Sequence, residues 1–68
     1  MSISARNKLK GKISDIVMGD VMAEITIRVG QNIIDAVITR RSAEELKLKK
    51  GDSVRVVVKS TEVMIQKD

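Results

Sequence analysis

The chain has 68 residues, 13 Lys and Arg against 9 Asp and Glu, a formal net charge of +4, no Cys or His, and 43% hydrophobic residues without one aromatic. This excludes catalysis by Cys or His, a disulfide framework and the usual His/Cys zinc sites. A chain this short buries only ~60% of the surface its unfolded form exposes. The expectation is therefore one domain over residues 1–68, stabilised by association with copies of itself.

In chain order, "KLKGKISDIVMGD" predicts a first strand from Leu9 to Met18 whose alternation loses phase around Asp15, as at a bulge. Gly19-Asp20 supplies the φ > 0 tolerance of a tight hairpin. Val21, Ala23, Ile25, Ile27 and Val29 then alternate with polar or exposed-type residues, the period of a half-buried second strand. Gly30-Gln31-Asn32 turns the chain again. A third strand, Ile33 to Thr39, puts Ile34, Ala36 and Ile38 on one face and Asp35, Val37 and Thr39 on the other.

"SAEELKLKKGD" follows, with Ser42 and Glu45 spaced as a capping box, Leu46 and Leu48 facing inward, and Gly51 closing the segment, so one short helix is predicted. Ser53 to Lys59 is a fourth strand with Val54, Val56 and Val58 inward, and "EVMI" makes a short fifth. The fold class expected is all-β: a small closed five-stranded barrel of the OB type, with one short helix between the third and fourth strands.

No apolar run is long enough to span a bilayer, and Met1 leads into a polar segment rather than a signal core. A cytoplasmic protein without membrane partners is expected. The carboxylates Asp15, Asp20, Glu24, Asp35, Glu44, Glu45, Asp52, Glu62 and Asp68 show no spacing that suggests an acid–base pair or a cation cage, so the expectation is a protein that is not an enzyme. OB barrels that bind single strands stack bases on aromatic side chains, and none exists here. No nucleic-acid partner is expected.

What remains is a set of hydrogen-bond donors at element ends: Ser4, Arg6 and Asn7; Thr39 and Ser42; Lys59 and Ser60. Free backbone N–H groups and a helix N-terminus favour an oxyanion at such places. Arg contributes a planar fork of donors, Lys a compact charge and the hydroxyls rotatable neutral donors, the mixture a small tetrahedral dianion needs. Taken singly, Ser42 reads as a helix cap, Thr39 as a strand residue, and Arg6 and Lys59 as solvated charges.

"SARNKLKGKI" at the start, "ITRRSAEEL" in the middle and "VVVKSTEVMI" at the end closely resemble the molybdate-binding Mop family, the molbindins, over essentially the whole chain. The resemblance implies an OB-like barrel assembled as a homohexamer, a trimer of dimers. It implies molybdate or tungstate, with no organic cofactor, held for storage or homeostasis at sites shared between subunits. The metal would be bound as its oxyanion, without a direct protein ligand. The family's binding residues carry over to Ser4 and Arg6, to Thr39 and Ser42, and to Lys59 and Ser60, with backbone N–H groups near Ala5 and Ser60 completing the shell. Many members have Gly where this chain has Lys47. A second, partial resemblance links "ITRRSAEELKLKKGDSVRVVV" to AbrB-like swapped-hairpin domains. It covers about a third of the chain, leaves the opening motif unexplained and implies a small dimeric DNA-binding regulator.

Overall fold

Alternating apolar positions divide the chain into strands. In the computed structural model, which describes residues 6–68, these are β1 (Asn7–Met18), β2 (Met22–Val29), β3 (Asn32–Thr39) and β4 (Ser53–Val58). A short helix, α1 (Arg40–Glu45), joins β3 to β4, and a 3-10 turn over Ser60–Glu62 follows β4. All pairings are antiparallel and the sheet order is β3-β2-β1-β4.

The first strand organises the rest. Its first half pairs with β4, from Asn7↔Val58 to Lys12↔Ser53, and its second half with β2, from Lys12↔Arg28 to Met18↔Ala23. The expected bulge is present: the β1–β2 register shifts between Ile13 and Asp15. Ser14 is the extra residue, and its hydroxyl donates to the Thr26 carbonyl oxygen at 3.3 Å. The shift lets Ile13 and Ile16, three positions apart, both face β2's inner residues, pairing with Ile27 and Ile25.

The core is small. Ile13, Ala23, Ile25, Ile27 and Ala43 are buried, with Ile16, Val29, Ala36, Ile38, Leu48, Val54 and Val56 packed against them. Every β2 residue expected to face inward does so except Val21, which precedes the strand and is 72% exposed.

The structure corrects the barrel. Among the described residues four strands form, not five, and their sheet is open, with β3 and β4 at its edges. Val63 has extended backbone (φ −87°, ψ 129°), yet residues 63–68 form no strand. A strand exists only as one side of a hydrogen-bonded ladder, and this segment meets no edge of its own chain. Met64 and Ile65 are left 94% and 93% exposed. The uncovered inner face of the sheet is a cavity of about 610 Å³, floored by Ile13, Ile25, Ile27 and Ile38 and flanked by Val54, Val56, Leu46 and Leu48.

The helix is corrected as well. It starts at Arg40, with Thr39 rather than Ser42 as N-cap, so the Ser42/Glu45 capping box does not form. It also ends sooner, at Leu46, which is 66% exposed at the rim of the inner-face cavity. Lys47 then adopts φ +53°, a left-handed conformation that costs an L-residue roughly 1–2 kcal/mol. Gly51, at φ +89°, closes a separate turn in which its N–H donates to the Ile13 carbonyl at 2.8 Å. Lys47→Gly is accordingly expected to stabilise the fold by about 0.5–1 kcal/mol, the relief of strain exceeding the entropy glycine adds to the unfolded chain; a urea titration measures it. The first hairpin also departs from expectation: it closes with the Gly19 N–H on the Met22 carbonyl at 2.8 Å, and Gly19 has no positive φ.

Candidate functional site

The proposed donors occupy two places. At one, β1 and β4 run side by side, and the last ladder pair is Asn7↔Val58. One step beyond it along each strand brings Arg6 opposite Lys59, both exposed. Lys59 is extended (φ −66°, ψ 137°) and caps the 3-10 turn, whose Glu62 N–H donates to the Lys59 carbonyl at 3.0 Å. The first N–H groups of that turn, on Ser60 and Thr61, have no partner within the turn. Two side-chain cations and two N–H groups without a partner in the turn therefore lie together. Ser4 and Ala5 lie outside the described residues.

The second place is the junction of β3 and α1. The Thr39 hydroxyl oxygen accepts the Ser42 N–H at 3.1 Å, capping the helix, and the same hydroxyl donates to Ser42 Oγ at 2.8 Å. The Thr39 proton is committed, so the pair offers one uncommitted hydroxyl proton, on Ser42. The Arg40 N–H donates to the Val21 carbonyl at 2.8 Å and its guanidinium to the Gly19 carbonyl at 3.3 Å, tying this junction to the β1–β2 turn. Arg40 Nε also lies 3.5 Å from Glu44, an exposed i,i+4 pair that adds little stability.

The two places lie at opposite ends of β1. Thr39 pairs with Met22, beside the C-terminal end of β1, whereas Arg6 and Lys59 flank its N-terminal end. Twelve residues of strand span roughly 40 Å if straight, comparable with the molecule's 35 Å length. The motif spacing in the sequence contained nothing to show this separation.

The sequence reading also missed residues. Lys8, Lys10 and Lys12 on β1, Arg55 on β4 and Arg28 on β2 all project from the face opposite the core, where Lys10 pairs with Arg55 and Lys12 with Arg28. Their parity relative to Ile13 and Ile27 was the available signal. Gly11 of the opening motif faces β2: a Cβ there would stand 2.6 Å from the Arg28 carbonyl oxygen and 2.7 Å from Ile27 Cγ2. Among the described residues no cluster of carboxylates could hold a metal ion. No helix among them is long and apolar enough to cross a membrane.

The likeness to known proteins spans the chain. Residues 3–65 match the TOBE domain. Molybdenum-pterin-binding protein 2 of Clostridium pasteurianum is 50% identical over 66 residues, 96% of this chain and 97% of that protein. A molybdate binding protein from Sporomusa ovata superposes with a TM-score of 0.95 at 42% identity, covering 98% of this chain and all of that one. The cytoplasmic molybdate-binding protein ModG, in a form with molybdate bound, superposes with a TM-score of 0.83 at 44% identity over 88% of this chain and 43% of its own. The AbrB-like resemblance, confined to a third of the chain, has no comparable support. With both terminal motifs inside the matched span and a backbone that follows the solved neighbours, this chain belongs to the TOBE-domain family, and within it to the molybdate-binding Mop proteins, the molbindins, which are not a family of enzymes.

Proposed function

We propose that this protein binds molybdate, and tungstate with it, at sites shared between subunits of a cytoplasmic homo-oligomer, a hexamer built as a trimer of dimers, and that it serves molybdenum storage. The observation that carries the shared site is the separation of its parts. Arg6, Lys59 and Ser60 lie at one end of β1 and Thr39 and Ser42 at the other, so one oxyanion can meet both groups only where two copies bring opposite ends together. The names of the relatives and of ModG support the ligand.

Each residue then has a physical role. Arg6 and Lys59 balance the two negative charges, with Arg6 offering parallel N–H donors. Ser42 gives the hydroxyl proton that Thr39 fixes in direction, Ser4 gives another, and the N–H groups of Ala5 and Ser60 close the shell. Selectivity against sulfate follows from size. Sulfate has the same charge and shape but shorter bonds, so donors fixed around the larger ion cannot all reach it, and a donor left without a partner costs roughly 1–3 kcal/mol. Molybdate and tungstate are nearly equal in size and would not be separated well.

The chain's surface supports assembly. It exposes 6011 Å², against roughly 4,200 Å² for a compact monomer of 7.5 kDa. The excess includes the apolar cavity and the exposed Val63, Met64 and Ile65, which together suit a second copy supplying the missing strand to a free edge. The test is molybdate calorimetry with sulfate as competitor, run on the full chain and on a chain ending at Glu62, with mass by light scattering. A full-length oligomer that binds molybdate saturably in excess sulfate is the expected result. The shortened chain should lose both assembly and binding. A monomeric full chain that binds molybdate equally well would overturn the shared site, and no molybdate heat at all would overturn the ligand.

A further inference from the structure

Arg6, Lys8, Lys10 and Lys12 occupy alternate positions along one side of the β1 segment, the side facing away from the core. Arg55 stands opposite Lys10, Arg28 opposite Lys12, and Lys59 one step past the end of the ladder beside Arg6. All are exposed, and the one ion pair among the described residues, Arg40 with Glu44, is elsewhere. Like charges directly opposite across strands are destabilising, so this arrangement opposes folding and gains nothing within the chain.

The geometry says what the arrangement favours. Alternate residues of a strand are about 6.6–6.8 Å apart, less than the ~8 Å Debye length at physiological ionic strength. Neighbouring cations therefore share one continuous potential. At its inner end the stripe widens into a groove of about 380 Å³ lined by Lys10, Gly11, Lys12, Arg28, Gly30 and Ser53, without a carboxylate. Asp15, Glu24 and Asp35 lie on the same outer face but beyond the bulge, on the side away from Arg6. The potential thus runs from mixed charge at one end to the Arg6/Lys59 pair at the other.

We propose that this stripe is a capture and loading surface for the tetrahedral dianion, drawing it from solution onto Lys10, Lys12, Arg28 and Arg55 and guiding it to Arg6 and Lys59. The inference rests on the oxyanion-binding reading above and adds a kinetic claim: these four residues raise the association rate and leave the bound ion's lifetime unchanged, because they do not touch it in its final site. A nucleic-acid strand fits the face less well, since no aromatic side chain is present to stack a base.

The test compares the wild-type assembly with the Lys10→Gln/Lys12→Gln/Arg28→Gln/Arg55→Gln variant. Removing facing like charges should leave thermal stability equal or higher, and Lys10→Arg/Lys12→Arg, which keeps the charge, serves as control. Equilibrium affinity for molybdate comes from calorimetry, and the release rate from transfer to an excess of a colour-forming chelator. Their ratio gives the association rate. At ~20 mM salt the variant should associate about tenfold more slowly with release changed less than about twofold, and the difference should largely vanish at ~0.5 M salt. The control should match wild type. Equal association rates, or a loss residing in faster release, would overturn the loading surface while leaving the oxyanion site standing. A wild-type assembly that binds no molybdate would overturn both.

Discussion

Mixing two weakened variants, Arg6→Ala and Thr39→Ala/Ser42→Ala, is expected to restore molybdate binding. Each alone should bind at least about tenfold more weakly. Charge-assisted hydrogen bonds contribute roughly 1.5–3 kcal/mol each, and removing Arg6 also leaves the dianion short of one neutralising charge. Suppose each site takes Arg6, Lys59 and Ser60 from one chain and Thr39 and Ser42 from another. In a mixed pair, one site then receives both defects, while the other combines an intact charged end with an intact hydroxyl end. Unfolding and refolding the two variants together should therefore recover about half the wild-type sites within every mixed pair. A site built within one chain recovers none, because each chain carries a defect of its own. The sheet makes this separation unavoidable within a chain: β1 lies between the two donor groups, with β4 beside its first half and β2 beside its second. Calorimetric stoichiometry of the refolded mixture reads the outcome directly.

Gly11→Ala should be the most damaging single-methyl change in the chain. The added Cβ would lie 2.6 Å from the Arg28 carbonyl oxygen, 2.7 Å from Ile27 Cγ2 and 2.9 Å from Val29 Cγ2. The two methyls can shift, but the carbonyl belongs to the β2 backbone, so β1 must move off β2 where it also turns to pair with β4. Overpacking of this kind costs about 3 kcal/mol or more where backbone has to give, out of a total of roughly 3–10 kcal/mol for a chain of this size. Gly30→Ala is the matched comparison: nothing lies within 4 Å of its Cβ, but φ is +62°, so only the left-handed penalty of roughly 1–2 kcal/mol applies. Urea titrations followed by far-ultraviolet circular dichroism should rank Gly11→Ala well below Gly30→Ala. Equal stabilities would mean that the strands are not held together here as closely as the structure has them.

Much of this protein was legible in its residue order because strand structure is written locally. Period-two alternation named Ala23, Ile25 and Ile27 as buried residues and placed the loss of phase near Asp15. The donors proposed for the anion could be named the same way, since Arg, Lys and hydroxyl residues at element ends are identifiable without the fold around them. The terminal motifs named the family, since both lie within the matched span.

Other features depended on what lies across space. The fifth strand was expected because Val63, Met64 and Ile65 have the composition of a strand, yet pairing needs an edge, and among the described residues this segment pairs with neither β3 nor β4. The helix began three residues earlier than its capping signal because Thr39 ends β3 with a hydroxyl already in reach of the Ser42 N–H. The division of the donors between two ends of β1, and the row of cations connecting one of those ends to Arg28, follow from register alone. Side-chain alternation is a property of each residue and its neighbours, so the apolar faces, and the donor residues proposed for an oxyanion, can be read from residue order alone. Register is a property of pairs of strands far apart in the chain, so the placing of Arg6 and Lys59 at one end of β1, and of Thr39 and Ser42 at the other, emerges only once the strands are paired.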